Sequence, residues 1–122
     1  MATPPKNLHD IVILRADGQL LNTNVLNKTF TIKTSFGNVT AKKGEIVHIT
    51  MEGGGLPHEL IANSGNILKG RIQDKTLSVV IFTGEEVTFK LPEDVLSIQF
   101  LDNLFPSLGA RVAKTARRRR SR

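Results

Sequence analysis

Seven cations close this chain: Arg111, Lys114, Arg117, Arg118, Arg119, Arg120 and Arg122, with no acid among the last twelve residues. Side chains of that type at that density can neutralise several phosphates and release their counterions. The result is tight, salt-sensitive binding that ignores base sequence. Arginine in place of lysine favours two-pronged contact with phosphate or carboxylate oxygens. Two partners therefore fit, the backbone of a nucleic acid or an acidic protein surface, and the first is the leading expectation. The preceding 110 residues hold ten Lys and Arg against eleven acids, so the net charge of +6 belongs to the tail. That separation describes a near-neutral module carrying a cationic arm, not a basic binding face.

Other residue types offer less chemistry. His9, His48 and His58 are too scattered for a local metal motif and read as surface or satisfied core residues, so no metal is expected. Gly53-Gly54-Gly55 lacks the Gly-Lys-[Ser/Thr] ending of a phosphate loop, and Pro57 follows where a helix should start. It reads as a linker. Glu85-Glu86 and Glu93-Asp94 sit at turns, where neighbouring carboxylates diverge into water and cannot converge on a substrate. With no Cys there is no thiolate nucleophile and no disulfide. Phe36 and Phe82 stand at corresponding strand ends, where an aromatic can stack a base, although core packing is the commoner use. Among function classes, an enzyme ranks last and no cofactor is expected.

The elements that position these residues come in two sets. Gly18-Gln19-Leu20-Leu21 answers to Gly65-Asn66-Ile67-Leu68, and Asn27-Lys28-Thr29-Phe30 to Asp74-Lys75-Thr76-Leu77. Phe36-Gly37 answers to Thr83-Gly84, and Ile46-x-x-Ile49-x-Met51 to Val95-x-x-Ile98-x-Phe100. The offset is 47 residues up to the second glycine and 49 at the end, so the second copy gains two residues in its last hairpin. Within each copy, short β-branched runs and period-two alternation mark strands between Gly, Asn and Asp turns. Ile11 to Leu14 reads as a buried strand. Thr29 to Phe36 places Phe30, Ile32 and Phe36 on one face. Thr76 to Phe82 is apolar on both faces, which predicts a central strand or one covered by the other repeat or by a second subunit.

The expected fold is all-β: two tandem repeats of four to five antiparallel strands forming a small barrel or sandwich, with a basic C-terminal tail. Its parts are a flexible leader (1–8), the first repeat (9–52), a Gly-rich joint (53–56), the second repeat (57–102) and the basic arm (103–122). Within that arm, Ser107 could cap a short helix through Ala116, but the run of four arginines ends a helix poorly, so disorder or a weak basic helix is expected unless an acidic partner orders it. The leader lacks the apolar stretch of a signal peptide, and no apolar run approaches membrane-spanning length. A cytoplasmic address with no membrane association is therefore expected. The turn glycines and core aliphatics over roughly residues 10–101 resemble a short tandem β-repeat found in uncharacterised bacterial proteins and before the barrel of some outer-membrane proteins. They are more loosely similar to Sm-like and other SH3-like small barrels. The resemblance implies a fold and a tendency to assemble, but carries no site, because the base-holding loop residues of Sm-like barrels have no counterpart here. The function expected is a non-enzymatic binding and assembly protein, homo-oligomeric, whose arm contacts nucleic-acid phosphates. The alternative is a structural subunit of a larger assembly whose arm docks on an acidic neighbour.

Overall fold

The computed structural model describes residues 8–104, and these form ten strands and two short helical turns. The first five strands are β1 (Asp10–Leu14), β2 (Leu20–Val25), β3 (Thr29–Thr34), β4 (Gly37–Lys42) and β5 (Ile46–Thr50). After the Gly53–Gly55 turn come β6 (His58–Ala62), β7 (Ile67–Ile72), β8 (Thr76–Val80), β9 (Glu86–Lys90) and β10 (Val95–Phe100). A 3₁₀ turn at Lys43–Glu45 links β4 to β5, and one helical turn, α1 (Leu101–Leu104), follows β10. No described helix is long and apolar enough to cross a membrane.

All the strands join one antiparallel sheet, curled into a half-barrel, in the order β4-β3-β7-β6-β5-β10-β1-β2-β8-β9. That order reads the same from either end when each strand is exchanged for the one five places along the chain. The two outer hairpins have traded places. β3, with β4, pairs with β7 of the second set, while β8, with β9, pairs with β2 of the first. The irregularities match as well. Val47 is skipped where β5 meets β6, and Leu96 where β10 meets β1. An extra residue on one strand sharpens its local twist, which helps the sheet curl around its apolar face.

The core lines the inside of this curl. Phe30, Ile32, Ile46, Ile49, Leu60, Leu77, Val79, Val95, Ile98 and Phe100 are buried, with the Phe30 and Phe100 rings 6.1 Å apart and tilted by 60°. Each trade of hairpins is clamped by the residue two places before β3 or β8. Asn27 Oδ1 accepts the Ser78 N–H at 2.9 Å, and Asp74 Oδ1 accepts the Thr31 N–H at 2.7 Å. Both side chains therefore reach across to the other set, where the sequence suggested only a local turn.

Two readings of burial are corrected. β3 stops at Thr34, whose hydroxyl donates to Gly37 O at 2.8 Å, and a two-residue turn lifts Phe36 off the inner face to 74% exposure. Gly37 makes this turn possible at φ 126°, a conformation that disfavours side-chain-bearing residues. Of the three alternatives for the strand beginning at Thr76, a central place is the one that does not hold. The trade of hairpins places β8 one strand from the end of the sheet, and Phe82 beyond it is 70% exposed.

Candidate functional site

The seven cations from Arg111 to Arg122 lie outside the described residues, as does the Ser107–Ala116 helix expectation. What the structure does place is the root of the arm. α1 packs beside β1 and β5, and its polar side chains fix it there. Asn103 Nδ2 donates to the carbonyls of Lys43 and Ile46, both at 2.7 Å, and the Leu101 N–H donates to His9 O at 3.1 Å. His9 Nδ1 lies 2.7 Å from Asp102 Oδ1, with both side chains more than half exposed.

Beneath this turn lies a buried polar cluster centred on Asp10 and Lys43. Asp10 opens β1 on the same face as Val12, so its carboxylate points inward, and it is 5% exposed. A buried carboxylate needs partners. Its Oδ2 accepts the Val25 N–H at 2.8 Å and meets Lys43 Nζ at 2.8 Å. The same ammonium donates to Asn24 Oδ1 at 3.1 Å and Val25 O at 2.6 Å. All three Lys43 protons are thus engaged, which makes it a tie and not a nucleophile. Asp10, Asn24, Lys43 and Asn103 border a cleft of ≈ 190 Å³, which adjoins a hollow of ≈ 510 Å³ over the β2–β3 connection. The sequence held one signal for this tie: an acid in phase with a buried apolar run. It gave no means of naming Lys43 as the partner.

Asp10→Ala should cost about 2–4 kcal/mol, since it strands the Val25 N–H and leaves the Lys43 ammonium without a counter-charge. A fall in the urea midpoint at constant m-value checks this, and Asp10→Asn should recover part of the loss.

The second set uses a histidine where the first uses Asp10. His58 opens β6 and is buried, and its Nδ1 accepts the N–H of Ile72, the last residue of β7, at 3.0 Å. Val25, the partner of Asp10, holds the same place at the end of β2. Accepting through Nδ1 leaves the ring proton on Nε2, which has no hydrogen-bond partner among the described residues. Burial pushes the His58 pKa down, and the Arg71 and Arg15 cations push it the same way. Burial also lowers that of His48 on β5, with Glu59 opposing. The unfolded chain protonates near pH 6.5, and below that value it takes up protons that the folded chain refuses. Stability should therefore be level above pH 6.5 and decline as the pH falls towards the lowered folded values. Urea melts at a pH above and a pH below 6.5 measure the decline, and His58→Asn should flatten it.

His9, His48 and His58 do not converge, and no group of metal-binding side chains occurs among the described residues. Gly53–Gly55 forms the β5–β6 turn, with Arg15 bracing it by donations to the Met51, Pro92 and Val95 carbonyls. Glu85 accepts from the Thr83 hydroxyl, Asp94 accepts the Lys90 N–H, and both are exposed. Phe36 and Phe82 are both presented to solvent. No family model matches the chain, and neither does any curated protein or solved structure.

Proposed function

We infer that this chain is a non-enzymatic binding and assembly protein of the cytoplasm, whose C-terminal arm grips nucleic-acid phosphates while the β body makes protein contacts. The observation that carries this reading is the charge partition: seven cations and no acid in the last twelve residues, against a near-neutral remainder. The body supports it in two ways. Its described sheet ends on the outer edges of β4 and β9, and open strand edges are templates for protein contact. The root of the arm is tied to β1 and β5 through Asp102 and Asn103, so a load on the arm would pass into the sheet. The palindromic strand order favours descent from a duplicated β unit, in keeping with the resemblance to tandem β-repeat proteins.

The test is what accompanies the full-length, untagged protein from cells. A raised 260 nm absorbance that nuclease or high salt removes is expected. Nucleic-acid-free protein that captures one acidic protein instead would replace this reading with that of a subunit docked on an acidic neighbour.

A further inference from the structure

The most exposed large apolar residues fall mainly in matched pairs. Leu20 and Ile67, each 56% exposed, open the corresponding strands β2 and β7. Phe36 and Phe82, 74% and 70% exposed, sit at the tips of the two traded hairpins. Because of the trade, Phe36 belongs to the flank that contains β7 and Ile67, and Phe82 to the flank that contains β2 and Leu20. The sheet thus carries one apolar pair on each flank.

The charges around the two pairs are opposite. Ile67, Lys69 and Arg71 alternate on the exposed face of β7, and Lys33 is the ladder partner of Arg71; Glu59, the ladder partner of Lys69, leaves this group with a net positive charge. At the corresponding positions the other flank has Asn22, Asn24 and Val80. That other flank has exposed Asp17, Glu85 and Glu86 beside its apolar pair, where the first has Ser64 and the uncharged Ser35–Gly37 turn. Two apolar pairs of matched position with rims of opposite net charge are complementary to each other and repelled by themselves.

We propose that the Phe36–Ile67 flank of one copy docks on the Phe82–Leu20 flank of a second copy, head to tail. Such a contact uses two different surfaces, so each added copy presents a free flank for the next, and the product is a ring or an open filament. This rests on the assembly half of the function proposed above and is independent of the arm.

The test is sedimentation velocity of the nuclease-treated full-length protein over a concentration series. Wild type should form concentration-dependent species larger than a dimer, and these should shrink as salt rises. Phe36→Ser and Phe82→Ser alter exposed side chains and should leave the circular dichroism spectrum unchanged. Each should weaken association about tenfold or more. Lys33→Glu/Arg71→Glu and Glu85→Lys/Glu86→Lys should each abolish it alone, while a mixture of the two variants should associate again, through the two reversed flanks and through the two flanks left unaltered. Wild type that stays monomeric at every concentration would overturn the proposal. So would a Phe82→Ser protein that still assembles as wild type does, because the Phe82 flank would then lie outside the contact. Phosphate binding by the arm, read separately by filter retention, should be unaffected by Phe36→Ser, so failure of either claim leaves the other measurable.

Discussion

Replacing Gly70 by alanine should destabilise the fold by about 3 kcal/mol or more, although the change adds one methyl group. Gly70 lies in the middle of β7, where β3 of the other set crosses against it. A Cβ at this position would sit 1.9 Å from Lys33 O and 2.7 Å from Lys33 C. Both are backbone atoms, so no rotamer change relieves the overlap. The β3–β7 ladder is short, pairing Ile32 with Ile72 and Lys33 with Arg71, and a shift of strand β3 would break it. Thermal melting should show a fall in Tm of roughly 10–20 °C. Gly44, where an added Cβ meets nothing within 4 Å, supplies the control, and Gly44→Ala should melt within a few degrees of wild type. A Gly70→Ala protein as stable as wild type would mean that the hairpins are not traded at this crossing.

Much of the architecture was legible from residue type and spacing. Turn glycines such as Gly18 and Gly65, both at positive φ, and the alternation of Phe30 and Ile32 located the strands. The trade of hairpins was not legible. Local propensity fixes where a strand begins and ends but not which neighbour β3 pairs with, and that choice is made by tertiary packing. Gly70 was the available hint, since glycine inside a strand marks close approach of another backbone. The Asp10–Lys43 tie was hidden for a related reason. The 3₁₀ turn at Lys43–Glu45 aims Lys43 back at β1, and nothing in the sequence between them foretells that direction. Phe36 was assigned inward because alternation was carried two residues past the true end of β3.

The largest expected effect belongs to the arm. Arg117, Arg118, Arg119 and Arg120 make up four of the seven cations, so changing all four to glutamine should remove more than half of the counterion release. None of the four lies in the described body, and the Asp10, Asn103 and Asp74 ties that hold it are untouched. The variant should therefore melt as wild type does. For wild type on duplex DNA, about 0.9 counterion per neutralised phosphate predicts a slope of log K against log salt near −6, or about three and a half orders of magnitude in affinity between about 50 and 200 mM salt. For the variant the slope should fall to about −3.

That salt series, run on wild type and the four-glutamine variant with duplexes of unrelated sequence, tests the central claim most directly. A steep wild-type slope that is equal for every sequence and roughly halved in the variant is the predicted result. A flat wild-type slope, or affinity that the four substitutions leave unchanged, would contradict it.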